Sequence, residues 1–384
     1  MKRRFVLISA ALIFTALSIL IIPCSTAIAE QDITVIGNSA DVDYPDALVF
    51  NISARSASDI TKIRLNYIVS KMNYAQIVSE AWTTFIPARD IATSWTWDMR
   101  HMSLPPEAVI EYWWTLENSN KRKLITQTYS VKFSDNNYNW KNISSGKITL
   151  YWYKGDDSFA SALMEAAVQA STRITGKAGV QLERPVNIHI YSGSADFQKS
   201  RVNTREWTGG VAATEYGAIA IGISPEDIEW GKGALAHELG HMVTHQLTFS
   251  AYGINLPTWL DEGLAMHAEA NSDPLFKIQL QKAVSSSQII SLRSLCSPFS
   301  ARVDKAFLSY AESQSVVEYL IDNYGNDKIL ELLKVFKAGS TTDDALKKIY
   351  GFDQDELEVK WIESIKPAKT SMLFNNMTGG GVNQ

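Results

Sequence analysis

The chain has 384 residues, 46% of them hydrophobic and 20% charged, with a formal charge of −5. Setting aside Lys2, Arg3 and Arg4 near the N-terminus takes that charge from −5 to −8, which argues against nucleic acid or anionic lipid as a partner. Only two cysteines are present, Cys24 and Cys296, so no disulfide framework supports the fold and it must rest on its apolar core.

Residues 1–29 read as a signal peptide. A basic start precedes the apolar run Phe5 to Ile22, and Ala27-Ile28-Ala29 forms a cleavage signal before Glu30. An uncleaved N-terminal anchor is the alternative, because the run lies near the lower limit for a membrane span. It is the sole route to a membrane that the sequence offers. Both readings place the remainder outside the cytoplasm, secreted or at the cell surface.

Residues 30–140 are predicted to be all-β. Alternating runs at 48–54, 63–69, 110–116 and 127–133 are separated by Asp, Asn, Ser and Pro clusters. That pattern predicts a β-sandwich of immunoglobulin or fibronectin type, without the paired cysteines of antibody domains. Its tryptophans, including Trp82, Trp95, Trp97, Trp113 and Trp114, are read as packing residues rather than a carbohydrate-binding face.

A polar linker, 134–140, leads to a second predicted domain at 141–366. Its elements are a strand at 148–153, a helix at 159–175, a strand at 186–191, and a strand pair at 209–214 and 217–223. His189 alternates with Ile188 and Ile190 and is read as structural. Helices follow at about 259–270, 274–284, 304–324, 326–337, 342–349 and 353–364, and 367–384 reads as a disordered tail. The fold class predicted is α+β, a small mixed sheet with helices behind an all-β domain.

Between the strand pair and the later helices lies His237-Glu238-Leu239-Gly240-His241. The surrounding residues are apolar at 235, 239, 242, 243 and 247, the stripe of a buried helix. On a helix, positions four apart share a face, so His237 and His241 can converge on one metal ion. Glu238 points about 100° round the helix and can face a water beside that metal. A Lewis-acid metal, a water and a carboxylate are what amide hydrolysis requires, so the motif predicts a zinc-dependent hydrolase, a peptidase first of all.

A catalytic zinc site takes three protein ligands and leaves one position open. His245 lies eight residues from His237, roughly 12 Å along a helix, too far to share one ion with it. It is read as a packed or surface histidine. Glu262, in Trp259-Leu260-Asp261-Glu262-Gly263-Leu264-Ala265, is the better third ligand. Its distance from His241 lets one helix end, a loop cross at 252–257, and a second helix return antiparallel. Gly240 and Gly263 are candidates for close helix packing, Gly263 against the metal helix.

These two blocks resemble the gluzincin metallopeptidases, most closely the peptidase MA-like group with its H-E-L-x-H and W-L-x-E-G-x-A motifs. Residues 308–313 and 319–325 resemble that group's downstream helices, and the likeness spans roughly 147–365. The resemblance implies a zincin-like domain, one zinc ion on His237, His241 and Glu262, Glu238 as general base, and a peptide or protein substrate. It also implies an oxyanion-binding role for Tyr310. In zincins the last strand before the metal helix is a sheet edge beside the cleft, which here points to 217–223. One departure stands out: the best-known gluzincins place an Asp four residues after the ligand Glu, and here that position is Met266. A zinc-bound histidine normally donates its other N–H to an acceptor; the sequence leaves Asp261, Glu269 and a backbone carbonyl as alternatives. The competing readings are a non-catalytic binding or adhesion protein on a zincin scaffold, and a metallohydrolase of a non-protein amide.

Overall fold

A computed structural model describes residues 32–72, 75–101, 103–176, 182–200, 209–250, 256–269, 274–300 and 302–366. The expected signal segment, most of the 252–257 loop and the expected tail from 367 lie outside them. Among the described residues the chain is α+β: a β-rich part, then a five-stranded mixed sheet covered by helices. No described helix is long and apolar enough to cross a membrane.

The β-rich part holds β1 (Ile33–Asp43), β2 (Ala47–Val69), β3 (Ser79–Trp82), β4 (Ala88–Asp98), β5 (Ala108–Asn118), β6 (Lys123–Ile125) and β7 (Tyr129–Phe133). The immunoglobulin-like expectation needs adjustment in its topology. All seven strands join one hydrogen-bonded sheet through β2, which is 23 residues long. Its first half pairs with β1 and β4; after register shifts between Arg55 and Lys62 its second half pairs with β3 and β5. A strand of that length, broken by a bulge, turns a corner and changes partners instead of ending at a loop. Leu48, Phe50, Ile52 and Ala54, then Ile63 and Leu65, alternate into one core with Trp114, whose Nε1 donates to Asn38 Oδ1 at 2.8 Å. Trp95 and Trp97 pack against this core, whereas Trp82 is exposed, under the Arg64 guanidinium.

The second sheet runs β11-β12-β10-β9-β8, with β8 (Lys141–Ser145), β9 (Ile148–Trp152), β10 (Val186–Tyr191), β11 (Gly210–Ala213) and β12 (Ala218–Gly222). β9, β10 and β12 are parallel, and the antiparallel β8 and β11 close the two ends. The edge strand beside the helices is therefore β11, not 217–223 as expected, because the short turn at 214–216 folds β11 back outside β12. One sheet face, with Leu150, Ile188, Ile190, Ile219 and Ile221, joins the helical core. The other is aromatic: His189 is buried, stacks on Tyr151 at 4.6 Å, and is held down to about 4 by burial.

The described helices are α1 (Asp157–Thr175), α2 (Ser194–Lys199), α3 (Ile228–Thr248), α4 (Thr258–Ala268), α5 (Pro274–Ser285), α6 (Val303–Tyr324), α7 (Asn326–Lys337), α8 (Thr342–Tyr350) and α9 (Gln354–Ile365). Asp156 caps α1 by accepting from the Phe159 amide, and Gly176 ends it in the left-handed conformation. α1, α4 and the edge of the sheet surround α3, whose Leu235, Leu239, Met242 and Val243 are buried as the periodicity predicts. The two sheets meet through polar contacts: Tyr191 Oη donates to Asp135 at 2.9 Å, and the Met72 amide donates to the Glu215 carbonyl at 2.6 Å.

Candidate metal centre

α3 and α4 lie antiparallel and very close. A Cβ on Gly240 would stand 2.8 Å from Ala265 Cα and 3.1 Å from Ala268 Cβ, so only glycine permits this separation. Gly263 serves a different contact from the one expected. Its missing Cβ would fall 2.5 Å from the Ser313 carbonyl oxygen and 2.5 Å from a Val317 methyl, so it seats α4 on α6, not on α3. The reason is rotational: the residue after Glu262 points away from the helix that Glu262 faces.

This packing brings His237, His241 and Glu262 together. Glu262 Oε2 is 3.4 Å from His237 Nε2 and 3.4 Å from His241 Nε2. Neither approach is aligned as a hydrogen bond, and Glu262 Oε2 is buried without one. Ligand atoms at the 2.0–2.2 Å bonds usual for zinc sit about 3.4 Å apart along the edges of a tetrahedron. Two imidazole nitrogens and an orphaned carboxylate oxygen at that spacing fit the three-ligand donor set.

The far side of each ring is held. His237 Nδ1 is 2.8 Å from Glu269 Oε1, and His241 Nδ1 is 3.1 Å from Asp261 Oδ1. Ionised carboxylates only accept, so both Nδ1 atoms donate and both Nε2 atoms face the centre. Two of the three acceptors left open by the sequence are thus used, one for each histidine. Burial pushes His237 down, but Glu262 and Glu269 outweigh it and lift it to about 9. Burial is likewise outweighed at His241 by Asp261 and Glu262, which hold it well above its ordinary value. Burial raises Glu262, yet its contacts with the two histidines bring it down to about 2. Such a cluster needs either protons or a cation at its centre.

Glu238 lies beside the centre, facing a cleft of about 650 Å³ whose walls include Trp230, His237, Glu269, Phe276 and Phe307. Burial raises its carboxyl above the ordinary value, opposed by the two histidines and by the Ala212 backbone on β11. Gly210 of the edge strand, the Glu238 carboxylate and His237 therefore share one cleft. Tyr310, half-buried on α6, brings its ring 6.3 Å from that of His237 and packs edge-on against Phe299.

His245 is neither a free surface group nor a ligand of this centre. Its Nε2 is 3.0 Å from Asp261 Oδ2 and its Nδ1 is 2.8 Å from Thr214 Oγ1. His241, His245 and Asp261 form a second cluster of metal-binding residue types. Its facing atoms already pair as N–H donors and carboxylate acceptors, which accounts for the grouping without an ion. The signal in the sequence was the step of four that puts 237, 241 and 245 on one helical stripe. His267 is half-buried on α4, and burial holds its pKa down.

A family model described as the Peptidase MA superfamily matches residues 166–367. No curated protein matches. Among solved structures, the chain is similar to an M1 zinc metallopeptidase from Deinococcus radiodurans, at 12% identity over 87% of this chain and 94% of that one, with a TM-score of 0.37. An aminopeptidase N family protein from Idiomarina loihiensis matches at 8% identity over 83% and 70%, with a TM-score of 0.34. A carbohydrate-binding module family 56 β-1,3-glucan binding domain matches at 20% identity over 26% and 99%, with a TM-score of 0.18. The family match takes in more than half of the chain, from α1 through both metal-motif helices to the end of α9, and by it the chain belongs to the Peptidase MA superfamily.

Proposed function

We propose that the chain is a zinc-dependent peptidase, with one zinc ion held by His237, His241 and Glu262. The observation that carries this reading is the orphaned Glu262 Oε2, 3.4 Å from both Nε2 atoms. When bound, zinc supplies Lewis acidity to the scissile carbonyl and to the attacking water. Glu238 takes the proton from that water and passes it to the leaving amine. Its raised pKa suits a group that must hold the proton between the two steps. Tyr310 donates its hydroxyl to the oxyanion. β11, at the edge of the sheet among the described residues, offers backbone groups with which an extended peptide can pair. We further propose a β-rich domain at 30–140 distinct from a catalytic domain at 141–366. Export across the cytoplasmic membrane, by way of residues 1–29, completes the reading.

The test is Glu238→Gln, assayed for zinc content and for hydrolysis of casein and a peptide panel, with and without chelator. Zinc binding should persist while turnover falls about 100-fold or more, the usual loss for a missing general base. Retained turnover would refute the mechanism. Stoichiometric zinc in a wild-type protein that hydrolyses no peptide would favour a binding protein on a zincin scaffold.

A further inference from the structure

Resting on the zinc reading above, we propose that His245 and Thr214 are positioning residues that brace His241, and that the β-rich part anchors the far end of this brace. The atoms form an unbroken line. His241 Nδ1 and Asp261 Oδ1 are 3.1 Å apart, Asp261 Oδ2 and His245 Nε2 are 3.0 Å apart, and His245 Nδ1 and Thr214 Oγ1 are 2.8 Å apart. The proton directions follow from chemistry. An ionised Asp261 only accepts, so His241 Nδ1 and His245 Nε2 both donate to it. The other ring nitrogen of His245, Nδ1, shares a hydrogen bond with the Thr214 hydroxyl. Each carboxylate oxygen of Asp261 is thereby tied to a different histidine. Its plane cannot rotate without breaking one of the bonds, and that plane sets the orientation of the His241 ring.

Thr214 does not hang free. It opens the 214–216 turn between β11 and β12, and the two residues after it attach to the other sheet. The Glu215 carbonyl accepts the Met72 amide at 2.6 Å, and the Glu215 carboxylate pairs with Lys71 Nζ at 3.0 Å. The Tyr216 ring packs against the core of the β-rich part. A contact between the two sheets therefore ends, four side chains later, on one candidate zinc ligand. The other histidine is held differently: the bond from His237 runs to Glu269, at the C-terminal end of α4. The brace acts on the His241 arm alone.

The experiment uses the full chain and reads zinc affinity by chelator competition, together with the visible absorption of the Co²⁺-loaded protein. Losing an outer hydrogen-bond partner typically weakens metal affinity about 10–100-fold. His245→Ala should do so and should also shift the Co²⁺ bands, which report ligand geometry. His245→Gln, which keeps a donor near the Nε2 position, should recover most of the affinity. Thr214→Val should weaken binding in the same direction by less, and so should Tyr216→Ala. Wild-type affinity and an unshifted Co²⁺ spectrum in both His245→Ala and Thr214→Val would overturn the brace while leaving the zinc reading intact. If His245→Ala does not fold, Thr214→Val decides alone. Wild-type affinity in Tyr216→Ala would overturn the part given to the β-rich sheet. A wild-type protein that binds no zinc would overturn the zinc reading and the brace with it.

Discussion

Replacing Gly240 by alanine probes how the centre is assembled. The new Cβ would meet Ala265 Cα at 2.8 Å and Ala268 Cβ at 3.1 Å. Carbon atoms pack comfortably at about 3.5–4.0 Å, so α3 and α4 must separate locally by about 0.7 Å. The obstruction is the backbone of α4, which cannot swing aside as a side chain can. Overpacking of this kind costs about 1–3 kcal/mol, and alanine recovers about 1 kcal/mol of helix propensity over glycine. Thermal stability of the metal-free protein should therefore fall only modestly. Zinc binding should suffer far more, because Glu262 rides on α4 and both histidines on α3, and ligand distances tolerate only about 0.2 Å. Loss of at least about tenfold in zinc affinity, or 1.4 kcal/mol, is expected by chelator competition. Gly233→Ala is the control on the same helix, since the nearest atom to its Cβ is Glu269 Oε2 at 3.9 Å. That variant should keep its zinc affinity and gain up to about 1 kcal/mol in stability. Zinc affinity in Gly240→Ala within about a factor of two of wild type would refute the claim that this glycine sets the ligand spacing.

Glu262→Ala should weaken zinc binding by more than the about 100-fold that an outer hydrogen bond is worth; unchanged affinity by the same competition assay would mean that another side chain completes the site. Tyr310→Phe should lower kcat about 100-fold or more with zinc content unchanged, and a wild-type kcat would remove Tyr310 from the reaction. Glu312 gives a pH dependence away from the metal. It is fully buried on α6, both its oxygens lie near 3.1–3.2 Å from the Ile290 amide, and burial with Glu358 nearby raises its carboxyl from 4.5 to about 8. Between those values the folded state keeps a proton that the unfolded chain has released. The stability this proton confers is complete below about pH 4.5 and is lost as pH rises through about 8, by up to about 5 kcal/mol. Glu312→Gln should flatten the fall of melting temperature over that window, and parallel curves for the two proteins would count against the assignment.

The helical half was legible in the sequence because its signals are local. The α3 stripe, the turn residues before α4 and the spacing from His241 to Glu262 are properties of neighbouring residues. They pointed to three side chains that the fold brings together. What escaped were relations between distant segments. Nothing near 209–223 shows which strand of the pair lies outermost, since that depends on how β12 docks on β10. Nor does any local feature reveal that the runs at 48–54 and 63–69 belong to one strand with two sets of partners, whose buried positions shift from even numbers to odd ones across the bulge. The partners of His245 escaped for a related reason. Its distance from His237 argues against a shared ion, and its hydrogen bonds run to Thr214, thirty-one positions earlier, and to the second oxygen of Asp261.

Met266 shows how the site tolerates a departure from the gluzincin pattern. One helical turn after Glu262, an aspartate could have reached a zinc histidine; here a methionine fills the position and is buried. The acceptor has moved to Glu269, seven residues after Glu262, where two turns of helix return to nearly the same face. Glutamate is longer than aspartate by one methylene, which gives a carboxylate placed a turn further on the reach to come back to His237. The other histidine is served by Asp261, directly before Glu262. Each imidazole thus keeps a carboxylate acceptor, as a zinc-bound histidine requires, although neither carboxylate stands where the familiar pattern would put it. The chemistry constrains the presence and direction of an acceptor more tightly than its address in the sequence. A motif search that insists on the aspartate at 266 would pass over a cluster whose three candidate ligand atoms and two carboxylate acceptors are all in place.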